Sequence, residues 1–123
     1  MQIETHSAIT VVRLDASYSA FHELVLQEAE ESILAALDQA LSPHLILDFR
    51  DTQYFGSVFF ETLFRLWKRV SQANGRFVLC GLKEDCLEIL HTACLTNLWQ
   101  ISPDLCEALD SFAAERGFDR VER

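Results

Sequence analysis

Apolar positions along this chain fall into two kinds of run that alternate. Short runs solid with apolar residues, Leu45–Phe49 and Arg76–Cys80, read as strands buried on both faces. Between and around them lie longer segments whose apolar residues recur every three or four positions, the period of a helix with one buried face. From Ser19 to Leu41 the residues Leu26, Ala29, Ile33, Leu37 and Ala40 mark such a face, and Pro43 stops the helix. A second helix opens at Ser57 and runs to residue 73, with Phe59, Phe60, Leu63, Phe64, Trp67 and Val70 as a broad apolar band. Asn74-Gly75 supplies a left-handed turn or helix C-cap before the next strand.

The remaining elements are shorter. Gln2–His6 and Ile9–Leu14 alternate weakly and read as a hairpin. After Gly81 a helix covers Lys83–Leu95 with Leu87, Leu90 and Cys94 on one face, and Glu84 and Asp85 favour its first turn. Leu98–Ile101 reads as a last strand. Ser102-Pro103-Asp104 then starts a helix, with the serine as N-cap. That helix buries Leu105, Leu109, Phe112 and Ala113, and Gly117 ends it. The order is β-β-α-β-α-β-α-β-α, an α/β mixed sheet with an N-terminal hairpin and parallel strands joined through helices. At 123 residues the expectation is a single domain spanning 1–123.

Charge narrows the partners. A net charge of −9 argues against nucleic acid, whose phosphates need Lys and Arg. No apolar run is long enough for a bilayer span and no signal-peptide pattern opens the chain, so the expected location is cytoplasmic. Glu28, Glu30 and Glu31 form an acidic cluster on the first helix, and Arg65, Lys68 and Arg69 a basic stripe on the second. Both read as solvated faces, with Glu61 and Arg65 at the favourable i,i+4 spacing. The cysteines at 80, 86, 94 and 106 lack CxxC spacing and read as small buried hydrophobes, without disulfide or zinc. His91 and Cys94 could share a helix face, but two ligands do not close a metal site. No metal or cofactor is expected.

The candidate chemistry sits between Asp48 and Glu61. A carboxylate at the end of a buried strand needs partners, and Asp48 can tie down the following loop through its amides or take a direct part in function. Ser57 has two readings. It can cap the helix, or it can carry a phosphate that would meet free N–H groups and the positive end of the helix dipole. Phe59, Phe60 and Phe64 exceed what one buried face requires, so one or two of them could anchor a partner near Ser57.

This arrangement resembles the STAS domain, the family of sulfate-transporter and anti-sigma-factor-antagonist domains. The matching residues are LILD at 45–48, Tyr54-Phe55, Ser57, Leu63, Asn74-Gly75, FVLCGL at 77–82 and Cys94-Leu95. The resemblance implies a regulatory binding module, an anti-sigma-factor antagonist whose serine, here Ser57, is phosphorylated by its partner, an anti-sigma factor with serine-kinase activity. The implied partner surface comprises Asp48, Gly56, Ser57, Val58, Phe59, Phe60 and Glu61, on a monomer or weak dimer. Gly56, Val58 and Phe59 stand where the family carries Asp, Ser or Thr, and Gly. A related adaptor that binds without phosphorylation is the alternative. An enzyme with Ser57 as nucleophile fits less well, because Gly56-Ser57-Val58-Phe59 is not a GxSxG elbow and no His has an evident place beside it.

Overall fold

Four consecutive residues with no usable solvent contact, Leu45–Asp48, form the central strand, and everything else is arranged around them. The computed structural model describes residues 2–6, 8–14, 23–52, 57–95 and 98–112. They form β1 (Gln2–His6), β2 (Ile9–Arg13), α1 (Glu23–Gln39), β3 (Leu45–Asp48), α2 (Ser57–Gln72), β4 (Phe77–Cys80), α3 (Glu84–Thr92) and β5 (Gln100–Ser102). A last helix, α4, occupies residues 105–112. The five strands lie side by side in chain order. β1 and β2 are antiparallel, with Gln2 opposite Arg13, and every later pair is parallel. Leu45 pairs with Phe77 and Asp48 with Cys80, so β3 and β4 are the adjacent parallel strands expected, with α2 as their crossover.

Alternation along the strands assigns the two faces. Val12, Leu14, Leu45, Leu47, Phe49, Phe77 and Leu79 pack against α1, α2 and α3. Ile9, Val11, Ile46, Val78 and Cys80 point the other way, onto Ala108 and Phe112 of α4. The sheet is thus covered by three helices on one side and by α4 on the other. That double cover is why β3 and β4 are apolar throughout.

The expected boundaries shift in places, each for a local reason. The buried face of α2 is Phe59, Leu63, Leu66 and Val70, while Phe64 turns outward. In α3 the buried residues are Cys86 and Leu90; Leu87 and Cys94 are exposed. Cys94 is not helical at all, since its left-handed φ of 62° follows the C-cap Ala93. β5 begins at Gln100, not Leu98, because the Trp99 amide is still bonded back to the Leu95 carbonyl. Ser102 therefore closes β5, and Asp104 caps α4 instead, its Oδ1 accepting the Glu107 amide at 2.9 Å. On α4, Ala108 and Phe112 are buried and Leu105 and Leu109 only partly so; Ala113 and Gly117 lie outside the described residues. Residues 19–22 of the first helix do too.

The two charged faces are not simply solvated. Arg65 of α2 grips Glu30 of α1 with contacts of 2.7 and 2.9 Å, and Arg69 bonds Asp38 one turn further on. Of the acidic cluster Glu30 takes part in these pairs, while Glu28, Glu31 and Lys68 are exposed, as a solvated face requires.

The C-terminus of α2 shows what Asn74-Gly75 does. Asn74 takes the left-handed conformation at φ 62°. The Gly75 amide bonds the Val70 carbonyl and the Asn74 amide the Ser71 carbonyl, the paired bonds of a Schellman motif. Gly75 is needed for a different reason, since a Cβ there would lie 2.3 Å from the Pro43 carbonyl oxygen. Gly75→Ala is expected to destabilise by about 2–3 kcal/mol through forced backbone movement, while Asn74→Gly stays near neutral. Urea unfolding midpoints of the two variants check this.

Candidate functional site

The described residues that follow β2, β3 and β4, namely Leu14, Phe49 to Thr52 and Gly81 to Lys83, meet at one end of the sheet, and Asp48 lies among them. Its side chain is buried, with Oδ1 accepting the Arg50 amide at 3.0 Å. Oδ2 lies 3.6 Å from Arg13 Nε and accepts no hydrogen bond from the described residues. Of the two readings of Asp48, this geometry supports the first: the carboxylate ties the start of the loop. Thr52, also buried, pins the loop a second time. Its hydroxyl donates to the Leu14 carbonyl at 2.7 Å and its amide to the Phe49 carbonyl at 2.9 Å. Lys83 Nζ closes the third side on the Arg50 carbonyl. Gly81 follows β4 at φ 70°, and a Cβ there would come within 2.8 Å of Asp48 Oδ1. The end of the sheet is built tightly around one acid.

Residues 53–56, including Gly56, lie outside the described residues, as do the side chains of Ser57 and Val58. The backbone nevertheless starts α2 at Ser57, and no acid sits in its first turn. A helix start carries the positive end of the helix dipole, which favours an anion at this position. Phe59 is only 2% exposed and meets Phe49 edge-on at 6.0 Å. It belongs to the core and is not a surface anchor; Phe60 is half-buried against the same core. Phe64, at 40% exposure, is the aromatic that reaches the surface, one turn beyond Phe60.

Glu61 is exposed and lines a cleft of about 370 Å³ with Glu30, Glu31, Thr62 and Arg65. The cleft was not legible from the sequence, although acids on α1 matching bases on α2 were the available signal. Arg65 is held charged chiefly by its hydrogen bonds to Glu30. Among the described residues no group of three His, Cys, Asp or Glu could hold a metal, and no helix is long and apolar enough to cross a membrane.

The cysteines divide in two. Cys80 and Cys86 are buried as expected, but Cys94 and Cys106 are exposed. Burial, reinforced by the Asp48 carboxylate beside it, pushes the Cys80 thiol up to about 12. Iodoacetamide at mildly alkaline pH is expected to label Cys94 and Cys106 and to spare the other two until denaturant is added. The unfolded chain can ionise Cys80 near the ordinary thiol value while the folded chain cannot. Its contribution to stability is therefore present below about pH 9 and is lost as pH rises toward 12. Cys80→Ala should flatten that part of the stability profile, read from unfolding midpoints against pH.

Residues 1–108 match the family model described as STAS domain. No curated protein matches the chain. Among solved structures, an anti-sigma-factor antagonist (STAS) domain protein from Planctomyces limnophilus is 28% identical, with a TM-score of 0.75 over 91% of this chain and 97% of that one. An anti-sigma factor antagonist from Mycobacterium paratuberculosis is 21% identical, with a TM-score of 0.76 over 89% and 90%. The Bacillus cell fate determinant SpoIIAA in its phosphorylated form is 16% identical, with a TM-score of 0.70 over 90% and 97%.

Proposed function

The chain belongs to the STAS domain family, and we propose that it acts as an anti-sigma-factor antagonist, a regulatory module controlled by phosphorylation of Ser57. The observation that carries this reading is the position of Ser57. It opens α2 directly after the loop pinned by Asp48 and Thr52, with no acid in the first turn. A phosphate on this serine would lie at the positive end of the α2 dipole, a position that favours an anion. The likeness to antagonists, one of them a phosphorylated form, supports the reading. The partner is an anti-sigma factor of the serine-kinase kind, which transfers the terminal phosphoryl group of its ATP to the serine oxygen.

In this scheme the unmodified helix start binds the partner through Gly56, Ser57, Val58, Phe60 and Glu61. Asp48 and Phe59 act from beneath, by fixing the loop and the helix. Phosphorylation adds about two negative charges to a surface already acidic at Glu61, and the partner is released. The test is to incubate the protein with a partner kinase and ATP and to map phosphate by mass spectrometry. Uptake confined to Ser57 is expected. The bulky Val58 and Phe59 beside the serine favour a second reading, an adaptor that binds without being modified. Partner binding without uptake would select it.

A further inference from the structure

We propose a second docking surface, at the opposite side of the fold from the β1 edge, that accepts an extended peptide segment rich in apolar and basic residues. β5 is the last strand of the sheet, and among the described residues it pairs only with β4. An edge strand offers unpaired amides and carbonyls to any extended chain. Beside it lies a groove of about 670 Å³ between β5 and α3, lined by Leu87, Trp99 and Ile101 with Glu84 and Glu88. Leu87 in the groove keeps 38% of its surface exposed, and Leu98, which precedes Trp99 in the chain, keeps 44%.

Charge decides the occupant. The described lining residues include two carboxylates, one histidine (His91) and no Lys or Arg, on a protein of net charge −9. A second copy pairing edge to edge through β5 would set two acidic rims against each other, and like charges so placed repel. An incoming strand with alternating apolar and basic side chains satisfies both features: one set of side chains enters the groove and the other faces the carboxylates. The residues that line the groove include none of those proposed above for the partner surface around Ser57.

The probe is a capped peptide of alternating Val and Lys, about eight residues long, an ordinary strand length. Titration followed by backbone amide shifts should give saturable changes confined to residues 84–91 and 98–102. Glu84→Gln/Glu88→Gln, two surface changes that leave the core alone, should weaken binding about tenfold. A Val/Glu peptide should not bind, and a Val/Lys peptide N-methylated at alternate amides should lose most of its affinity because it cannot pair with an edge. Shifts spread over the whole acidic surface, equal binding of the N-methylated peptide, or no binding would each overturn the proposal. Sedimentation showing a stable dimer that Leu87→Glu dissociates would overturn it in favour of a second copy.

Discussion

Ser57→Asp is expected to lower affinity for the partner kinase by several decades at most, while Ser57→Ala binds nearly as well as wild type. The two substitutions remove the same hydroxyl and differ in charge, so the comparison isolates the charge. In the proposed complex the helix start is covered, and a fixed carboxylate there would have to lose its water without a matched cation. That cost is a few kcal/mol. Folding should move the other way. With no acid in the first turn of α2, an aspartate at its start interacts favourably with the dipole, by about 0.3–1 kcal/mol. Ser57→Ala loses about 1 kcal/mol if the hydroxyl caps the helix, too little to unfold a domain of ordinary stability. Binding titrations and urea melts on the same three proteins therefore give opposite rankings for Asp. Equal binding by all three would reduce Ser57 to a helix cap.

The position of Ser57 was legible from sequence for a physical reason. β3 and β4 are covered on both faces, so their apolar runs are unbroken, and the switch from that pattern to a helical period marks the place where α2 must begin. The Asn74-Gly75 stop was legible through its left-handed preference. What periodicity could not give was rotation and partner choice. An α2 with aromatics at 59, 60, 64 and 67 offers more than one apolar stripe. Only packing against the sheet selects Phe59, Leu63, Leu66 and Val70 and leaves Phe64 outside. The same ambiguity misplaced the buried face of α3, where Cys86 rather than Leu87 points inward. Ion pairs between α1 and α2 join residues thirty-five and thirty-one positions apart, Glu30 to Arg65 and Asp38 to Arg69, and no local spacing reveals them. Asp104 displaced Ser102 as the cap of α4 because the strand pairing with β4 extends through Ser102.

Phe59→Ala should cost about 3–5 kcal/mol of stability, the ordinary range for emptying a buried aromatic site. Phe59 is 2% exposed and meets Phe49 edge-on, so the ring joins the first turn of α2 to the residue that follows β3. Removing it leaves a cavity at the junction that sets the helix start. The effect should also be far larger than that of Phe64→Ala. Phe64 is 40% exposed and has a tilted contact with Trp99 at 5.1 Å, and losing that contact is worth about 1 kcal/mol. Denaturant midpoints rank the two. Binding then separates a positioning role from a contact role. Phe59→Leu keeps most of the volume and should lose less than about 1.5 kcal/mol of stability, so it remains folded for a partner titration. Because the Phe59 ring faces the core, Phe59→Leu should bind the partner as wild type does. Lost affinity in that folded variant, with α2 still starting at Ser57 by amide shifts, would show that the ring itself enters the partner interface.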